Sequence, residues 1–136
     1  MKSNFFTLTL PSEQSDSIPD SARHCLDLFS EAFNQEDRQG MDSQCHFPHY
    51  LIGETSVIIW NESGQIPEQF FTELKQTGWA FTTAEKCQPV LVTRSKLHII
   101  WSYARRKADG SVISLHENLW ILQKKDDRWG IVVRSY

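Results

Sequence analysis

No stretch of the chain approaches the roughly 20 consecutive apolar residues of a membrane-spanning helix. The apolar N-terminal run Phe5-Phe6-Thr7-Leu8-Thr9-Leu10 is too short and too rich in threonine to be a signal-peptide core. Cysteine is scarce: Cys25, Cys45 and Cys87 are an odd set without C-x-x-C spacing, which speaks against a disulfide framework and for a reduced, cytoplasmic setting. Blocks of like charge are missing and the formal net charge is only -3, which argues against a basic grip on nucleic acid. Glycine and proline are few, 6 and 5 in 136 residues, while 40% of residues are hydrophobic, so collagen-like and disordered states are excluded. What is left is a soluble chain of one-domain length, able to bury a core without disulfide or metal staples.

Residues 11–17 are polar turn formers without periodicity, so residues 1–17 read as an arm and 18–136 as a single domain. Ala22, Cys25, Leu26, Phe29, Ala32 and Phe33 recur at spacings of three and four, the stripe of an amphipathic helix, with Ser17 as its cap, Pro19 in its first turn and Gly40 beyond its end. A short helical turn over Met41–Cys45 would stop before Pro48. Tyr50–Gly53 and Val57–Trp60 are β-branched and aromatic, as strands or one bent hairpin. A second substantial helix opens at Pro67, carries Phe70, Phe71 and Leu74, and stops at Gly78; everything beyond Trp79 reads as strand.

Asp109-Gly110 is a strong two-residue hairpin signal and Asp126-Asp127 a weaker one. Two-residue turns at both places set Tyr103 opposite His116, Trp101 opposite Asn118, Ile99 opposite Trp120, Trp120 opposite Val133 and Asn118 opposite Ser135. One face then collects Trp101, Tyr103, His116, Asn118, Trp120 and Ser135. The other collects Ile100, Leu115, Leu119, Ile121 and Val132, with Ser102, Glu117 and Arg134 nearby and Glu117 as an ion-pair partner; a one-residue slip would exchange the faces. Arg105, Arg106 and Lys107 with Lys124 and Lys125 read as one basic end of the sheet, a solvated edge that discourages strand addition or else a place for an anionic ligand.

Helix, short helix, strand, helix and four long strands make an α+β pattern, a curved antiparallel sheet wrapped around N-terminal helices as a cone whose mouth can hold a small molecule. With its His46 to His49 segment, Leu97-His98, Asp109-Gly110, Arg128 to Ile131 and Arg134-Ser135, the chain over residues 20–136 resembles the nuclear transport factor 2-like superfamily, with its ketosteroid isomerase-like and SnoaL-like members, and within it a bacterial subfamily of unassigned function. The resemblance implies the cystatin-like cone fold and a commonly dimeric state. It implies no single reaction, because that scaffold hosts isomerases, dehydratases, cyclases, hydrolases and adaptors.

His46 and His49 flank Pro48, and His116 shares a face with aromatics, so His46 or His116 could exchange a proton with a ligand; His46 and His49 could equally be hydrogen-bonded to backbone at the junction. Tyr103 and Asn118 are candidate hydrogen-bond donors. Trp60, Trp101 and Trp120, with His49 and Asn118, are candidate ligand contacts, since an apolar wall with a few polar groups is the character of a small-molecule site. Proton-abstracting relatives use a pocket carboxylate as base. Here the aspartates fall in helices, helix ends and turns, and Glu54, Glu85 and Glu117 are the strand carboxylates, so that mechanism does not carry over. His46 and His49 with His98 or His116 make a poor metal set, interrupted by proline and without companion cysteine or carboxylate; no metal or cofactor is expected. The expected function is small-molecule binding in a His-, Trp- and Tyr-lined cone, with lyase or isomerase chemistry by histidine. The alternative is a dimeric adaptor with its cone plugged, Phe5 and Phe6 being suitable plugs. Either form suits a homodimer joined through the sheet, without nucleic acid or membrane.

Overall fold

The computed structural model describes residues 17–136, so the arm and the proposed Phe5 and Phe6 plugs lie outside the described residues. Helix α1, Asp20–Asn34, buries Ala22, Cys25, Leu26, Phe29 and Ala32, the stripe read from the sequence. Its N-cap is Pro19, whose carbonyl accepts from Arg23 N–H at 3.0 Å, rather than Ser17. After Glu36 turns the chain at φ 56°, Asp37 caps the short helix α2, Arg38–Ser43, by accepting from Gly40 N–H at 3.0 Å. Strand β1 spans Cys45–Ile52, so His46 to His49 lie inside it rather than before it. Pro48 is tolerated because the pairing with the C-terminal strand skips from Cys45 to Tyr50, so no ladder needs the missing N–H. Strand β2, Val57–Trp60, closes a hairpin onto β1. Helix α3, Phe70–Lys75, is shorter than expected: residues 67–69 form a turn, and Gly78 at φ 94° ends the segment.

Four long strands complete the chain: β3 Phe81–Val92, β4 Lys96–Arg106, β5 Val112–Lys125 and β6 Arg128–Ser135. The sheet order is β2-β1-β6-β5-β4-β3, antiparallel throughout except for the parallel β1–β6 pair, so the curved, unclosed sheet is mixed rather than purely antiparallel. Alternation along β4 turns Leu97, Ile99, Trp101 and Tyr103 inward against α1 and the other helices. The centre of the core is fully buried Leu26, Leu97, Ile99, Leu122 and Ile131.

The β4–β5 turn is a residue longer than expected. Gly110, at φ 88°, donates to the Lys107 carbonyl at 2.9 Å and Lys107 N–H donates to Ser111 O at 2.9 Å. A register shift between Arg105 and Arg106 cancels the extra residue, so Tyr103 opposes His116, Trp101 opposes Asn118 and Ile99 opposes Trp120 as the sequence predicts. At the β5–β6 turn Asp126 and Asp127 both take positive φ, 53° and 61°, and Lys125 opposes Arg128 in a two-residue turn. Here the expected register fails further on. A bulge at Val132 inserts one residue, Trp120 opposes Arg134 instead of Val133, and Leu119 rather than Asn118 opposes Ser135. The slip carries Arg134 to the inner face and Ser135 to the outer one. The single basic end also divides: Lys124 N–H donates to Ser95 O at 2.7 Å, at the end of the sheet opposite Arg105 to Lys107.

Candidate functional site

A cavity of about 420 Å³ lies between the helices and the inner face of the sheet. Trp101 and Trp120, with ring centroids 5.6 Å apart, form part of its wall, and Phe29 of α1 meets Trp120 edge-on at 5.4 Å. Phe33, Met41 and Phe70 come from the helices, and the β1–β2 hairpin adds Leu51, Ile58 and Trp60. The lining contains neither a carboxylate side chain nor a histidine; its charged side chains are Arg105 and Arg134.

Arg134 is brought inward by the Val132 bulge and is 6% exposed. Its guanidinium carbon lies 5.2 Å from the Phe29 ring centroid, 5.9 Å from that of Trp120 and 6.0 Å from that of Trp60. Its Nε–H donates to His49 Nε2 at 3.1 Å, while His49 Nδ1 bonds the Ile131 carbonyl at 2.9 Å. These partners fix the imidazole as a neutral tautomer with its proton on Nδ1. Burial first, and the Arg134 charge second, push the His49 pKa down to about 4. His49 stacks on Trp60 with centroids 6.1 Å apart, behind the cavity surface rather than on it.

Tyr103 lines the cavity and its hydroxyl oxygen accepts from Asn118 Nδ2 at 2.9 Å. Its own proton is left to donate, and burial raises the phenol pKa, so the proton is held. Asn118 is buried behind Tyr103 and does not reach the lining. His116 stacks on Tyr103 at 4.8 Å with 11° between the planes, and its Nε2 bonds Ser114 Oγ at 2.8 Å. Burial, with Arg105 adding to it, lowers its pKa. It too stays outside the lining. The inner-face grouping of Trp101, Tyr103, His116, Asn118 and Trp120 is thus present, without Ser135.

His46 lies elsewhere. Its Nε2 bonds the Arg128 carbonyl at 2.8 Å and its Nδ1 accepts from Arg128 Nη2 at 3.1 Å, so both nitrogens are occupied in joining the starts of β1 and β6. Burial pushes the Cys25 thiol up to about 11 and the Cys45 thiol up to about 12, which withholds a thiolate nucleophile near neutral pH. Among the described residues no group of three or more His, Cys, Asp or Glu side chains could hold a metal ion. Glu117 remains on the outer face with Ser102, on the side that Arg134 has left.

The sequence reading missed Arg134, and it took Arg105 only as part of the basic end of the sheet. The bulge that turns Arg134 inward leaves no mark in Ile131-Val132-Val133, and Arg105 was hidden in a basic run, though its odd-numbered place beside Trp101 and Tyr103 on β4 was a signal.

The helices packed inside a curved, unclosed sheet are the cystatin-like, nuclear transport factor 2-like fold. No protein-family model matches the chain, and no curated protein matches it. Solved structures do. A protein of unknown function with a cystatin-like fold from Nostoc punctiforme is similar at TM-score 0.66 and 10% identity, over 85% of this chain and 86% of that one. A nuclear transport factor 2-like protein from Novosphingobium aromaticivorans is similar at TM-score 0.65 and 12% identity, over 85% and 78%. A ketosteroid isomerase-like protein from Erwinia carotovora atroseptica is similar at TM-score 0.56 and 13% identity, over 85% and 91%. At such identities the likeness establishes the fold. Among the described residues no helix is long and apolar enough to cross a membrane.

Proposed function

We propose that this chain is a small-molecule-binding domain that holds a mainly apolar ligand in the cone. The observation that carries this is the cavity of about 420 Å³, walled by aromatic rings with few polar groups among them. That volume and character match ligand sites, which span roughly 300–1,000 Å³. Binding rather than turnover is the better-supported reading. General acid-base work by histidine needs an imidazole within hydrogen-bond reach of the ligand, and His46, His49 and His116 all stand outside the lining. Tyr103 offers a hydroxyl proton to the cavity.

We also propose that two copies associate through the outer face of the sheet. Leu115 is 72% exposed there, on the same face as half-buried Ile100, Leu119 and Ile121.

Native mass spectrometry of freshly purified protein, beside a denatured sample, tests the binding reading. A non-covalent mass of metabolite size, lost on denaturation, is the expected result. Protein without such a mass, whose tryptophan emission also stays unchanged across a panel of apolar acids, ketones and alcohols, overturns it, since Trp60, Trp101 and Trp120 line the cavity.

A further inference from the structure

We propose that the ligand is an organic anion, an apolar body ending in a carboxylate, and that Arg134 holds the carboxylate. The inference rests on the reading of the cavity as a ligand site and names the class of its occupant. A guanidinium stays charged at any physiological pH, and a charge out of water requires an opposite charge or a full set of hydrogen bonds. Arg134 is 6% exposed, yet none of the ion pairs among the described residues includes it. Its Nε–H is used on His49, and its two Nη groups donate to no described residue. The rings of Phe29, Trp60 and Trp120 attract the charge but offer no acceptor in the guanidinium plane. What remains open is the pair of terminal nitrogens, which matches the two oxygens of a carboxylate end-on.

The rest of the cavity agrees in sign. Arg105 lines it too, with its Nε buried and without a partner, and Tyr103 has a hydroxyl proton to give. Among the described residues no lining side chain is acidic. The aromatic walls set the remainder of the molecule: a phenyl ring or alkyl chain has a surface to pack on, and a highly hydrated polyanion has none. His49 is a positioning residue. Its neutral Nε2 engages Arg134 Nε, which leaves the Nη edge as the donor free for the ligand.

The test uses the full chain and a matched pair of probes, 4-phenylbutanoate and 4-phenyl-1-butanol, titrated by calorimetry with tryptophan emission as a second readout. In the native protein the acid should bind about tenfold tighter than the alcohol, the scale of a charge-assisted hydrogen-bonded pair over a neutral one. Arg134→Met should erase that preference, the acid then binding no tighter than the alcohol. Circular dichroism checks its fold; if it does not fold, the native acid-to-alcohol ratio together with Arg134→Lys, which keeps the charge but not the fork and should lose part of the preference, decides the question. Equal binding of acid and alcohol to the native protein overturns the anion and leaves the cavity reading standing. Failure of both probes to bind at millimolar concentration overturns the cavity reading and the inference with it. A full acid preference that survives Arg134→Met moves the carboxylate to Arg105 and overturns the assignment to Arg134.

Discussion

His49 has no exposed surface, and its two ring nitrogens do opposite work: Nδ1 donates to Ile131 O and Nε2 accepts from Arg134. A second proton would break the contact with Arg134 and set imidazolium against guanidinium in the core. The folded pKa is therefore about 4 against an ordinary 6.5, so between these values the unfolded chain binds a proton that the folded chain refuses. This contribution to stability is fully present above the unfolded value and is lost as pH falls, by about 3 kcal/mol at pH near 4. Urea unfolding at about pH 7 and about pH 5 should show the loss, in a window where carboxylates are still ionised. His49→Gln should remove the larger part of that slope, the lowered pKa values of His98 and His116 leaving the remainder. A variant that keeps the native slope would exclude His49 as its source.

Strand β6 does two jobs with one interruption between them. Before the bulge, Trp129 and Ile131 point inward around Gly130, where a Cβ would meet the His46 ring at 2.6 Å from Cδ2. That ring is held by Arg128 at both nitrogens and cannot move aside. Gly130→Ala should therefore destabilise the fold by about 2 kcal/mol, read from the thermal midpoint. In a His46→Ala background the same change should cost little, and equal costs in both backgrounds would show that the ring is not the obstacle. Beyond the bulge, parity reverses and Arg134 faces the cavity. The elements themselves were legible because their signals are local: helical spacing from Ala22 to Ala32, alternation from Leu97 to Tyr103, and Asp-Gly and Asp-Asp at the turns. The β4–β5 register came out right through two cancelling departures, whereas in β5–β6 nothing cancelled the bulge at Val132. A bulge among β-branched residues depends on what each neighbour packs against, and sequence spacing does not record it. So Tyr103, Trp60, Trp101 and Trp120 could be assigned to the cavity from the sequence, and Arg134 could not.

At the scale of the molecule the sheet has two faces with different duties. The inner face is filled by α1, the other helices and the cavity; the outer face carries Ile100, Leu119 and Ile121, half-buried, and Leu115, 72% exposed. Apolar side chains standing together on a broad, nearly regular surface suit an isologous contact, in which a two-fold axis lays each row against its copy. The exposed edge strand β2 is less suited, because its four residues offer only a short ladder even though Val57, Ile58 and Ile59 are each about half exposed. Sedimentation equilibrium across a range of concentrations should therefore give twice the protomer mass. Leu115→Lys should return it to the protomer mass while the thermal midpoint of the isolated fold is retained, since a side chain this exposed contributes little to its own domain. A monomer in the native protein excludes the outer face as a contact. A dimer that survives Leu115→Lys and is lost in Ile58→Lys would place the contact on the β2 edge instead. Because the cavity opens on the inner face, carboxylate binding by the Leu115→Lys monomer should match the native protein, so assembly and ligand capture are separable measurements on the same chain.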